Sequence, residues 1–186
     1  MKGLIYFGMT SETTPSPYTV IFSSKFATGP GDFAPCNAFN NNYMKCWISS
    51  NGSAATTDVE YIGIDTGAST TITGYAVLAS TGWADPVNWT FEGSNSGTFT
   101  DNGGGAFILD TQTSGPTTFD GTTMVPRVIS LGGSVSYRYY RLRITLRSSA
   151  TYVGVRDLQL YCDLGGGGGG GTGIKRAKCI TGPLGV

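Results

Sequence analysis

Residues 139–147, Tyr139-Tyr140-Arg141-Leu142-Arg143-Ile144-Thr145-Leu146-Arg147, alternate in polarity. Tyr140, Leu142, Ile144 and Leu146 fall on one face of an extended strand and Tyr139, Arg141, Arg143, Thr145 and Arg147 on the other, because successive strand side chains point to opposite faces. The apolar set must face a core. The arginine stripe has two readings: charges that solvate an exposed sheet and pair across strands, or a patch that docks an anion or a partner.

Outward from this strand, similar β-prone runs occupy 61–65, 72–78, 88–92, 106–109, 127–131 and 155–161. Turn clusters such as Asp65-Thr66-Gly67-Ala68-Ser69 and Asn102-Gly103-Gly104-Gly105 separate them. Apolar residues nowhere recur at i, i+3, i+4, i+7 through the middle of the chain, so no helix is expected there. Many short strands with turns between them imply an all-β sandwich or jelly roll.

The composition agrees. The chain has 186 residues, 12 Lys and Arg against 12 Asp and Glu, and only 13% charged residues, below the usual share of about 25%. Glycine (29), threonine and serine take their place, while 39% hydrophobic residues suffice for a core. A neutral chain lacks the excess of Lys and Arg that phosphate neutralisation requires, so nucleic acid is not expected as a partner. The absence of histidine excludes Ser-His-Asp and Cys-His nucleophiles, HExxH zinc sites and a near-neutral proton shuttle. Catalysis would have to rest on carboxylates alone, and no cofactor is expected. No apolar run approaches a membrane span, and the first ten residues lack the apolar core of a signal peptide, so synthesis in a cytoplasm without export is expected.

Three zones divide the chain: an arm or added strand pair over 1–31, a compact β-sandwich over 32–162, and a tail over 163–186. The tail opens on seven consecutive glycines, 165–171, which read as a flexible tether spanning roughly 15 Å as a coil. The segment after it, with Lys175, Arg176 and Lys178 among apolar residues, reads as a docking piece. Cys36, Cys46, Cys162 and Cys179 form no CxxC pair and read as thiols, with a Cys36–Cys162 bridge as the alternative in an oxidising space.

Several motifs occur in a fixed order: Ala38-Phe39-Asn40-Asn41-Asn42-Tyr43-Met44-Lys45-Cys46-Trp47, Val59-Glu60-Tyr61-Ile62-Gly63-Ile64-Asp65-Thr66-Gly67, Ile72-Thr73-Gly74-Tyr75, Asp85-Pro86-Val87-Asn88-Trp89-Thr90-Phe91-Glu92-Gly93-Ser94-Asn95, Tyr137-Arg138-Tyr139-Tyr140-Arg141-Leu142-Arg143-Ile144-Thr145 and Gly154-Val155-Arg156-Asp157-Leu158-Gln159-Leu160-Tyr161. This succession, about 130 residues long, resembles the F5/8 type C (discoidin-like, galactose-binding-like) domain. The resemblance implies a jelly-roll β-sandwich that recognises glycans or lipid head groups through loops at one end, without catalysis. Galactose-type members commonly use a histidine that this chain lacks.

The resemblance also implies a structural calcium site in some members, at the positions held here by Asn40, Asn41, Asn42 and Lys45, with Asp157 in the acidic place. Calcium favours several carboxylate oxygens. An ammonium among amides repels a cation, so Lys45 is expected to occupy the calcium position and pair with Asp157 in a metal-free variant. Trp47 and Trp89 lie in motifs that bury them in the family. Trp83, in the turn-rich Ser80-Thr81-Gly82-Trp83-Ala84-Asp85-Pro86, is the leading candidate to stack on a sugar, with Asp85, Tyr43, Asn102 and Tyr152 as further ligand-binding candidates.

Three functional readings remain. The first is a virion structural and adhesion protein of a bacteriophage or virus, decorating a capsid or tail fibre. It would sit in the virion as a homo-oligomer or in high copy, with termini docked on other virion subunits and the sandwich facing host glycans. The second is a free bacterial carbohydrate-binding module or lectin. The third is a carboxylate-only glycosidase using a pair such as Asp85 and Asp101.

Overall fold

Gly67 and Gly132 adopt φ of 77° and 74°, and at these two points the longest strands of the protein turn a corner without ending. In the computed structural model, which describes residues 2–26, 33–50, 59–79, 84–99, 106–113, 126–148, 152–163 and 179–180, these strands are β4 (Glu60–Ala79) and β7 (Arg127–Arg147). Around them stand β1 (Lys2–Ile5), β2 (Thr19–Phe22), a 3₁₀ turn (Pro35–Phe39), β3 (Trp47–Ile48), β5 (Pro86–Ser94), β6 (Phe107–Gln112), β8 (Gly154–Asp163) and β9 (Cys179–Ile180).

The corner in β4 divides its partners. Glu60 to Asp65 pair with Ile144 to Tyr139 of β7, and after a register shift Thr70 to Val77 pair with Tyr137 to Arg127. The first half of β4 also pairs with β2, and the second half of β7 pairs with β5, which carries β6. The second half of β4 instead pairs with β8, which carries β1 and, beyond it, β9. Every pairing is antiparallel. Two layers result, β6-β5-β7-β4-β2 and β7-β4-β8-β1-β9, joined by the strands they share, and the protein is an all-β antiparallel sandwich.

The core fills the space between the layers. Ile62, Ile64, Trp89, Phe91, Tyr140, Leu142 and Ile144 face Ile72, Tyr75, Val77, Val155, Leu158 and Leu160, all but fully buried. Each such side chain contributes roughly 1.5–3 kcal/mol. The stretch read as an N-terminal arm joins this core: Ile5, Phe7 and Met9 are buried, and the Phe7 ring meets Tyr18 and Phe39 edge-on at 5.1 and 5.9 Å. At the other end of the chain, β9 adds to β1 of the same molecule. The glycine run 165–171 lies outside the described residues.

Two sequence expectations need correction. The alternation of β7 holds through Ile144, but Leu146 is 37% exposed and Arg147 is buried. The register with β5 shifts on both sides of Asn88 and rolls the last residues of β7 over. Cys162, on β8 opposite Gly3, is disulfide-bonded, whereas Cys36 and Cys46 are buried free thiols. Neither four thiols nor a Cys36–Cys162 bridge describes the chain.

Candidate functional site

Where β4 and β7 finish and β5 and β8 begin, backbone hydrogen bonds tie several chain segments into one surface. Ser148 N–H donates to Asp85 O (2.9 Å), Gly154 N–H to Ala84 O (2.6 Å), Ser49 N–H to Val153 O (2.9 Å), Phe26 N–H to Ile48 O (3.0 Å) and Ile48 N–H to Phe33 O (3.3 Å). Side chains lock the same contacts, with Asp85 N–H donating to Ser148 Oγ (2.8 Å) and Val153 N–H to Ser49 Oγ (3.1 Å).

Three rings sit on this base. Phe26 meets Phe33 and Tyr152 edge-on, with centroids 5.7 and 5.3 Å apart. Phe26 is 48% exposed, so one ring of the cluster presents itself to solvent although its edges are anchored. Nearby, Ser24 Oγ donates to Glu60 Oε2 (2.8 Å), as does Ser23 Oγ, and Trp47 Nε1 donates to Ser24 O (2.8 Å). A fixed, half-exposed ring beside hydroxyls and a carboxylate suits a polyhydroxy ligand with one apolar face: the ring stacks and the polar groups orient.

Of the sequence candidates, Asp85 and Tyr152 come together at this end. Trp83, Asn102 and Asp101 lie outside the described residues. Tyr43 is elsewhere, against the outer side of β8, where its hydroxyl accepts from Gln159 Nε2 (3.1 Å) and its carbonyl from Arg156. Phe26, Phe33 and Glu60 were not among the candidates. Phe26 had a readable signal, since it precedes Ala27-Thr28-Gly29-Pro30-Gly31, the same kind of turn-rich context that marked Trp83.

Trp47 and Trp89 are buried, and Trp89 Nε1 donates to Tyr75 Oη (2.9 Å), which in turn donates to Asp110 Oδ2 (2.6 Å). Burial, and then Asp110, push the Tyr75 phenol well above its ordinary range.

The expected contact between Lys45 and Asp157 is not made. Asp157 is 1% exposed; its Oδ2 accepts from Gln159 Nε2 (2.6 Å) and its Oδ1 has no hydrogen-bond partner. Burial pushes this carboxyl up to about 7, against the opposing pull of the Gln159 hydrogen bond. Tyr161, whose hydroxyl donates to Gln159 Oε1 (2.7 Å), is pushed up to about 12 by burial and by Asp157. Gln159, which also donates to the Tyr43 hydroxyl, is the partner that Asp157 has in place of the ammonium.

Lys45 instead lines a cleft of about 400 Å³ with Asn37, Asn40, Asn42 and Thr10. The amide oxygens there are committed to turn geometry. Asn40 Oδ1 accepts from Asn42 N–H (2.7 Å), Asn42 Oδ1 from Met44 N–H (3.1 Å) and Asn37 Oδ1 from Asn40 Nδ2 (2.9 Å). Oxygens so occupied, beside a cation and without a carboxylate, do not fit calcium.

No protein-family model and no curated protein matches the chain in sequence. In three dimensions it is similar to the family 32 carbohydrate-binding module of Clostridium perfringens NanJ in complex with galactose, at 9% identity and a TM-score of 0.61, over 87% of this chain and 99% of that one. It is also similar to chitosan-binding module 2 of a Paenibacillus sp. IK-5 chitosanase/glucanase in complex with chitotriose (16%, TM-score 0.58, 76% and 94%). A third similar structure is the family 32 module of AlyQ in complex with 4,5-unsaturated mannuronic acid (18%, TM-score 0.54, 76% and 92%). The shared fold is that of the discoidin-like carbohydrate-binding modules.

Proposed function

We propose that the protein is a non-catalytic carbohydrate-binding module that holds a glycan at the end of the sandwich carrying Phe26, Tyr152 and Asp85. One observation carries this reading: Phe26 stays half exposed while two rings hold it edge-on, on a surface pinned by backbone hydrogen bonds. The fold supports it, since similar structures are modules bound to galactose, chitotriose and a mannuronic acid. Without histidine, the hydroxyls of the ligand would be addressed by carboxylates and serines, Glu60, Asp85, Ser23 and Ser24 among them.

This favours the free carbohydrate-binding module over a virion part. Nothing in the fold or in the similar structures points to a virion. The paired ends β1 and β9 satisfy each other within one chain, which removes one reason to invoke neighbouring subunits. A glycan array probed with the full chain, with Phe26→Ala and with Trp83→Ala tests the reading. Binding that survives both substitutions would sink it.

A further inference from the structure

At the end of the sandwich that carries Phe26, one carboxylate is fixed in place and keeps an open oxygen. Glu60 pairs in register with Ile144 as Ile62 does with Leu142, so it shares the inner face of β4 with core residues, at the start of the strand. Ser23 Oγ and Ser24 Oγ both donate to its Oε2. Each hydroxyl is anchored in turn by a backbone N–H, Ser23 by that of Tyr61 (2.9 Å) and Ser24 by that of Ser50 (3.0 Å). Glu60 Oε1 takes no hydrogen bond among the described residues, and the side chain is only partly buried.

The carboxylate and the exposed ring belong to one short stretch. Phe26 follows Ser24 by two residues, at most about 7 Å along the backbone. Both are pinned to β3, with Phe26 N–H donating to Ile48 O (3.0 Å) and Trp47 Nε1 to Ser24 O (2.8 Å). The cations nearest in the chain or the register are engaged or covered. Lys25 Nζ lies 3.6 Å from Glu12 Oε1 and 5.8 Å from the centroid of the Phe22 ring, and Arg147 is buried.

We infer that the glycan held here carries a free amine, with the ring of an amino sugar on Phe26 and its ammonium on Glu60 Oε1. The inference rests on the carbohydrate-binding reading and adds the charge of the ligand to it. The carboxylate ranks the classes of sugar. A uronic acid brings a like charge against it, a neutral sugar offers a hydroxyl donor, and an ammonium offers three donors together with the opposite charge. Because the two serines orient Glu60 before any ligand arrives, little side-chain freedom is lost on binding.

Calorimetric titration of the full chain with chitotriose, with its fully N-acetylated form and with galactose tests the inference. The first two share a backbone and differ in whether each nitrogen is a charged amine or a neutral amide. At low salt chitotriose should bind about fivefold tighter than the acetylated form, and the preference should shrink as salt is added. Glu60→Gln, which keeps an oxygen for the serines, should bring the two within about twofold. The salt series uses the parent chain and so holds even where the variant folds poorly. Equal or tighter binding of the acetylated form, or a preference that salt or Glu60→Gln leaves intact, overturns the amine and leaves the proposed function standing. Binding of galactose alone does the same. Silence toward all three overturns the amine, and the glycan array with Phe26→Ala then reads the proposed function separately.

Discussion

Arg141 and Glu92 form an ion pair at 2.7 Å with side chains only 5% and 6% exposed, on a sheet face that the sequence pattern read as solvated or as a docking patch. Removing one partner leaves the other charge buried. Glu92→Ala is expected to cost about 3–5 kcal/mol in urea unfolding, and replacing both with apolar residues of similar volume should recover much of that loss. A single variant as stable as the parent would show the pair to be solvated.

Asp157 gives the stability a pH dependence. Burial pushes its folded carboxyl up to about 7 from an ordinary 3.8, so between these pH values the folded state keeps a proton that the unfolded chain has lost. The stabilisation is complete below about pH 4, falls as pH rises toward 7, and is gone above it. At 1.36 kcal/mol per pH unit the span is roughly 4 kcal/mol. Asp157→Asn should therefore unfold with a flatter pH profile and exceed the parent above pH 7. Parallel profiles would rule the effect out.

Tyr75→Phe removes one oxygen, takes from Trp89 Nε1 its acceptor and leaves Asp110 Oδ2 with the Gln112 Nε2 donor alone. A cost of about 1–3 kcal/mol is expected by chemical denaturation, although the ring volume is kept.

Gly63→Ala would place a methyl against the Tyr140 carbonyl and 2.8 Å from Arg141 Cα, both backbone atoms. Overpacking of this kind costs about 1–3 kcal/mol, so the melting temperature should fall by about 5 °C. An unchanged melt would mean that β4 and β7 part easily.

Phe26→Ala is expected to lower glycan affinity about tenfold with little change in melting temperature, since the ring is half exposed. Parallel binding and melting measurements separate a contact from a fold defect.

The sandwich was largely legible because polarity alternation survives in β7 from Tyr139 to Ile144 and apolar runs mark β5 and β8. What the pattern hid was continuity. Runs 61–65 and 72–78 read as two strands, yet they are one strand bent at Gly67, since a glycine at positive φ looks in sequence like a stop. Sites were less legible for a related reason. Asp85 and Tyr152 were readable from their loops, but Phe26 joins them through hydrogen bonds to residues that chain order does not place beside it. Lys45 misled because charge complementarity with Asp157 is visible in sequence, whereas the hydrogen bond that Asp157 takes from Gln159 is a matter of packing.

Lys2 to Ile5 pair with Asp163 to Leu160, so β1 is made long before the strand it pairs with. On a ribosome β1 emerges with no partner and carries Ile5 toward a core that does not yet exist. Closure then depends on a search across more than 150 residues, and such distant pairings slow folding. A chain interrupted before β8 would leave the second half of β4 bare along one edge, an adhesive template for other nascent chains. The order in which the protein is made therefore sets when it is vulnerable, and its risk of aggregation is concentrated in the interval between synthesis of β4 and synthesis of β8.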